Sequence, residues 1–215
     1  MIPLSDENPT RSFPLITLLI IGANIFIYFY GFSLAVPADL LFTSYGLVPY
    51  LLVHSPIYTY PTIYSSMFLH SGFWHLAGNM LYLWIFGNNI EDVLGKFRFT
   101  LFYLICGTIA AFGHIATDME SQIPMVGASG AISGVLGAYL VLFPFARVKT
   151  LVFLGFFITI IRIPALVLLG IWILIQIASG VASSAGGAGV AWFAHIGGFA
   201  AGMLLILPFR RLSAY

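Results

Sequence analysis

Long apolar runs constrain this chain more than any other feature. Residues 13–32 form a predominantly apolar run of 20 residues, and five more such stretches follow, near 71–89, 99–116, 129–143, 164–179 and 190–208. At a helical rise of about 1.5 Å per residue, about 20 residues cross the hydrocarbon core of a bilayer. Only 7% of the 215 residues are charged, and 60% are hydrophobic. A soluble domain carries roughly 25% charged residues, and burying a charge in lipid is expensive. Lipid is therefore the solvent that this composition fits. The expected fold is an all-α polytopic membrane protein with six transmembrane helices, forming one membrane domain over residues 1–215 with short tails and no separate soluble domain.

The connections support that count. Segment 33–69 carries Pro37, Pro49, Pro56 and Pro61, which break any long helix, so a structured loop with short helical pieces is expected there. The stretch 151–163 is apolar, and it either extends the fifth helix with a kink at Pro164 or lies along the membrane interface. With six spans, residues 1–12, 90–98, 144–163 and 209–215 share one side. They hold Arg11, Lys96, Arg98, Arg147, Lys149, Arg162, Arg210 and Arg211, which are all eight basic residues. The opposite side carries only Asp39, Asp118 and Glu120. The positive-inside rule then makes both termini cytoplasmic, and a seventh span would break the sorting. The first run is longer than a signal-peptide core and reads as a spanning helix. A net charge of +1 without a sizeable basic patch argues against a nucleic-acid partner. The single cysteine, Cys106, can form no internal disulfide. Gly130/Gly134 and Gly198/Gly202 have the small-xxx-small spacing that lets helices approach closely in lipid.

Within these helices a few polar residues stand out. His75 and Asn79 lie four apart, on one face of the second helix, about one turn inside its extracytoplasmic end. Ser129 opens the fourth helix at that same end, and His195 lies a few residues into the sixth. Four polar groups on three helices thus share one depth on one side. A serine hydroxyl needs a base to become a nucleophile, and a neutral imidazole suits that task. Asn79, His75 and the amides at a helix start can donate to a developing oxyanion. No carboxylate lies at matching depth, so a Ser–His dyad is expected rather than an acid-containing triad. Each residue also has a plainer role open to it: Ser129 as a helix cap, Asn79 as interhelical glue, and the histidines as packed or interfacial side chains. His70 and His75 do not make a metal site, because no HExxH and no acidic or cysteine partner lies at ligand spacing. No cofactor is expected.

The segments SSMFLHSGFWHLAGNM (65–80), EDVLGKFRF (91–99), GASGAISG (127–134), IPALVLLGIW (163–172) and AWFAHIGGFAAG (191–202) together resemble the rhomboid intramembrane serine proteases. The resemblance implies a six-helix rhomboid fold with a water-accessible cavity open to the extracytoplasmic side. It makes Ser129 the nucleophile and His195 its base. His75, Asn79 and the Ser129 amide would form the oxyanion hole, with Gly127 tightening the preceding loop and His70 supporting the cavity. It further implies membrane-protein substrates cut in or near a transmembrane segment, with the fifth helix and its overlying loop as a gate. Many family members carry Trp-Arg where this chain has Pro61-Thr62, so the first loop is expected to be anchored differently. The lack of an obvious transit peptide favours a prokaryotic plasma membrane. The alternatives are an inactive rhomboid-like binder of membrane clients, which needs no Ser129–His195 pair, and a small transporter, which would spread polar residues through the helix depth.

Overall fold

The computed structural model describes residues 1–34, 36–155, 157–183 and 190–210. The loop expected to overlie the fifth helix, and Arg211 in the C-terminal tail, lie outside them. A strand β1 (Ile2–Asp6) precedes helix α1 (Leu15–Ser33). The proline-rich segment folds into the expected short pieces: α2 (Ala38–Tyr45), α3 (Pro49–His54), α4 (Pro56–Thr59), α5 (Thr62–Ser65) and a 3-10 turn at Ser66–Phe68. Pro49 and Pro56 open α3 and α4, where the missing N–H has no intrahelical partner to lose. The second apolar stretch runs as α6 (Phe73–Tyr82), a π-helical turn at Leu83–Gly87 and α7 (Asn88–Leu94). The third and fourth become α8 (Lys96–Ile115) and α9 (Ser129–Leu142).

The stretch after α9 departs from the first of its two expected forms. Residues 147–164 do not extend the fifth helix. They form a β-hairpin, β2 (Arg147–Leu154) and β3 (Phe157–Pro164), followed by α10 (Ala165–Ser183) and α11 (Trp192–Phe209). The fold is therefore the expected helical one with a small sheet added beside the helices. Hydrophobic continuity alone does not separate strand from helix. Here β-branched and aromatic side chains favour strand, and Gly155 turns the hairpin with φ 61°, a conformation that costs other residues energy. The N-terminal segment then adds a third strand, since β1 pairs antiparallel with β2 through Ile2↔Leu151 and Asp6↔Val148. Asp6 also accepts hydrogen bonds from Tyr139 Oη (2.6 Å) and Asn89 Nδ2 (2.8 Å), which fastens the sheet to the bundle. Burial raises the Asp6 pKa against the opposing effect of those bonds.

Helix α9 is central, with residues 131–139 all buried, and it packs between α8 and α11. Both glycine pairs lie at the contact with α11. A Cβ on Gly198 would strike the Gly130 carbonyl, and one on Gly202 the Gly134 carbonyl. By length and composition, α8, α10 and α11 are each able to cross a membrane, and shorter apolar helices cover Leu15–Gly31 and Ser129–Leu142. The outer helices turn large apolar side chains outward, such as Phe26 and Phe29 on α1 and Leu174 and Ile175 on α10. That is the expected surface toward lipid.

Two adjacent carboxylates tie the start of α1 to α7. Buried Glu91 accepts from the Ile16 amide (2.9 Å), the Thr17 amide (2.8 Å) and Thr17 Oγ1 (2.8 Å). It acts as the cap that Pro14 cannot supply, with its charge at the positive end of the helix dipole. Asp92 accepts from the Arg11 amide (3.0 Å) and the Ser12 amide (2.8 Å). Burial pushes the Asp92 pKa up, but the hydrogen bonds from Ser12 and Arg11 and the Arg11 charge together bring it below the ordinary value. Its contribution to stability is therefore present above the unfolded carboxylate pKa and is lost as pH falls through the lower folded value. Glu91→Ala is expected to cost about 3 kcal/mol by stranding buried amides. Thermal unfolding in detergent micelles checks this, and an unchanged midpoint would refute the capping role.

Candidate active site

Ser129 is the first residue of α9, where the backbone amides have no intrahelical partner. The turn before it is set by Gly127, whose φ of 123° disfavours any side chain. A Cβ there would also lie 2.7 Å from His75 Nε2. The Gly127 amide donates to the Ser66 carbonyl (2.9 Å), which holds the turn against the proline-rich segment. His195 lies in the first turn of α11. Because glycines bring α9 and α11 together, His195 Nε2 reaches Ser129 Oγ at 2.8 Å.

The protonation pattern of this pair follows from its neighbours. The other ring nitrogen, Nδ1, lies 2.8 Å from Gln176 Oε1 on α10. Gln176 uses its NH₂ group toward the Trp172 carbonyl (3.2 Å), so the oxygen that faces His195 can only accept. Nδ1 must then carry the proton, and Nε2 of the neutral ring is left to accept the Ser129 hydroxyl proton. Trp172 lies beside the imidazole, with ring centroids 5.9 Å apart and planes tilted by 36°.

His75 and Asn79 fall on one face of α6, as their spacing predicts. The Ser71 amide (3.4 Å) and Ser71 Oγ (3.0 Å) both approach His75 Nδ1. A backbone amide can only donate, so Nδ1 accepts and Nε2–H is the ring donor on the side facing Gly127. Asn79 Nδ2 donates to the His75 carbonyl (3.0 Å). His70, only 5% exposed, stands edge-on to His75 with ring centroids 5.0 Å apart. It backs His75 and does not line the cavity. That cavity, of about 490 Å³, is bounded by His75, Asn79, Gly127, Ser129, Gln176 and His195.

The structure therefore brings together Ser129, His195, His75, Asn79 and Gly127. Gln176 was not anticipated from the sequence, although its signal is present. It is the one side chain with an amide or charge in α10, and a polar group in an apolar span needs a partner. The remaining histidines stand apart from the pair. His54 pairs with Glu120 at 3.2 Å, and His114 lines a second cavity of about 850 Å³ that meets the first at Ser71 and His75.

The rhomboid domain family matches residues 58–212, which take in Ser129, His195, Gln176, His75, Asn79, Gly127 and His70. The chain belongs to the rhomboid family. It is a mostly helical integral membrane protein of that family. Among its relatives, "Rhomboid protein 1, mitochondrial" of Saccharomyces cerevisiae is 34% identical over 152 residues, covering 66% of this chain and 40% of the yeast protein. "Rhomboid protease GluP" of Bacillus subtilis is 46% identical over 76 residues, covering 35% of this chain and 14% of the relative. The human "Presenilin-associated rhomboid-like protein, mitochondrial" is 38% identical over 96 residues, or 43% of this chain and 24% of that protein. This rhomboid thus aligns with less than half the length of each of the three.

Proposed function

We propose that this rhomboid is an intramembrane serine endopeptidase that hydrolyses peptide bonds in or near transmembrane segments of other membrane proteins. The observation that carries this reading is the 2.8 Å contact between Ser129 Oγ and His195 Nε2, with the opposite ring nitrogen held by Gln176. In this reading six helical spans form one membrane domain. The rod from α6 into the start of α7 and the short α9 complete the set, and both termini lie on the basic side. The Bacillus subtilis relative, a rhomboid protease by name, adds weight to the reading. Mitochondrial names stand beside bacterial ones among the relatives, and they widen the expected membrane from a prokaryotic plasma membrane to a bacterial or mitochondrial one.

In the proposed reaction a substrate segment unwinds at the cavity and exposes a carbonyl that an intact helix would keep hydrogen-bonded. Ser129 attacks as His195 Nε2 takes its proton, giving a tetrahedral intermediate. The oxyanion meets donors from His75 Nε2–H, the Asn79 amide group and the backbone N–H at the start of α9. His195 then returns the proton to the leaving amine. Water enters through the second cavity, whose lining includes Thr117, Asp118 and Ser121, and hydrolyses the acyl-enzyme with His195 again as base. Gly127 keeps the loop clear for the substrate carbonyl, and His70 supports His75 from behind. No cofactor or metal takes part.

The rival is an inactive rhomboid-like protein that binds membrane clients. Labelling by a fluorophosphonate separates the two, since it requires an activated serine. The expected result is stoichiometric modification of Ser129, together with cleavage of a model transmembrane substrate in liposomes. Absence of both would favour the client-binding protein. Gln176 has its own test, because it acts through His195 and does not touch the reacting carbonyl. Gln176→Leu removes the acceptor that sets the imidazole tautomer and is expected to lower kcat about 10- to 100-fold with little change in KM. Gln176→Glu restores an acceptor and should recover most of the loss. Equal damage by both would mean that Gln176 serves packing alone.

A further inference from the structure

The hairpin β2–β3 carries a surface that neither the bundle nor the reaction uses. Its inner face is settled, with Val148 and Thr150 fully buried and Val152 nearly so. Strand alternation turns Arg147, Lys149, Leu151 and Phe153 the other way. Their cross-strand partners are Pro164, Arg162, Ile160 and Ile158. The outer face is thus zoned, basic at the root and apolar toward the turn. On it Phe153 is 52% exposed, Ile158 64% and Ile160 58%, and Phe157, beside the turn, is 78% exposed. Between Leu151 and Ile161 the only polar side chain is Thr159. A soluble surface rarely concentrates so many large apolar groups in one place.

The root of the hairpin joins the ends of α9 and α10, where the Ala165 amide donates to the Ala146 carbonyl and the Leu166 amide to the Pro144 carbonyl. Beyond that basic root, Leu166 and Val167 are again exposed at the start of α10. Other basic groups lie at the same end of the molecule. Arg98 donates to the Phe209 and Arg210 carbonyls, and Arg162 pairs with Glu7 at 2.7 Å. Arg147 and Lys149 have no acidic partner among the described residues.

We propose that the β2–β3 hairpin is an interfacial anchor for an anionic lipid surface. Phe153, Phe157, Ile158 and Ile160 enter the headgroup–acyl boundary, while Arg147 and Lys149 meet acidic headgroups. The hydrocarbon core is excluded as its seat. Among the described residues β3 pairs only with β2, and the unpaired amides and carbonyls of its outer edge need water or headgroup partners. The anchor rests on the membrane-spanning reading but not on catalysis.

The test uses the full chain with single probes of an environment-sensitive fluorophore on Ile158→Cys, Phe26→Cys and Met119→Cys. The unmodified chain is a blank, because Cys106 is buried. One copy is placed in each lipid nanodisc, with or without acidic lipid. Phe26 on α1 must be quenched by doxyl-labelled acyl chains if that helix spans. Met119, in the connection between α8 and α9 and 52% exposed, should be quenched by iodide. The anchor predicts that the Ile158 probe is blue-shifted relative to Met119, loses most of its emission to doxyl groups near the glycerol, and resists iodide. Arg147→Gln with Lys149→Gln should remove the extra shift that acidic lipid produces. Ile160→Cys repeats the measurement if the Ile158 variant does not fold. Iodide quenching at Ile158 equal to that at Met119, with Phe26 still quenched by lipid, would overturn the anchor and leave the spanning helices intact. Protection that appears only in dense proteoliposomes, without doxyl quenching, would instead make this face a contact between copies and would also overturn it.

Discussion

Ser129→Ala will abolish cleavage of a transmembrane substrate in liposomes, with a fall of at least about 10⁴-fold, the scale on which nucleophile losses act in serine hydrolases. His195→Ala will do the same. The double variant will be no worse than either single one, because a nucleophile without its base and a base without its nucleophile are equally idle. The fold should survive the serine change. The residue before Ser129 makes no side-chain cap, and the Ser129 hydroxyl is engaged by His195 rather than by the backbone. A stability change below about 1 kcal/mol is expected for Ser129→Ala. Inactivity in a variant that unfolds at the wild-type temperature would assign the chemistry to Ser129. Cleavage that persists in the same variant would show another nucleophile at work and would sink the proposed mechanism.

The largest stability effect is expected at the contact between α9 and α11. A Cβ on Gly202 would overlap the Gly134 carbonyl. Both are backbone groups of packed helices, so no side-chain rotation relieves the clash and the helices must separate. Gly202→Val is expected to cost about 4 kcal/mol or more, beyond ordinary overpacking because the obstacle is main chain. The same helix pair carries Ser129 and His195, so separation should also lengthen their contact and remove activity. Gly170→Ala is the control, because a Cβ there meets nothing within 4 Å, and alanine favours helix over glycine by about 1 kcal/mol. Thermal unfolding in micelles distinguishes the two. If Gly202→Val melts with the wild type, close approach of these backbones is not what holds the bundle.

Several features were legible because they depend on neighbouring residues alone. The proline spacing after α1 foretold short helical pieces, and the six long apolar runs yielded helical segments, the second of them broken by a π-helical turn and continued into α7. The spacing of His75 and Asn79 put them on one face. The glycine pairs foretold which helices would touch, since only small residues allow such approach in lipid. The hairpin was not legible. Its apolar run fits helix and strand alike, and the hydrogen bonds that select strand come partly from β1 at the far end of the chain, where Ile2 pairs with Leu151. Gln176 stands out in α10 as a lone amide, but its partner His195 lies on the next helix, so spacing within α10 could not assign its role.

By itself, then, the sequence determined the lipid solvent, the helical segments and the shared face of His75 and Asn79. These follow from hydropathy, helical period and charge, all of which act locally. Only the tertiary structure decided which ring nitrogen of His195 faces Ser129, that Gln176 orients it, and that the connection before α10 is a sheet. Each of those depends on hydrogen bonds between groups remote in sequence, which exist only once the bundle has closed.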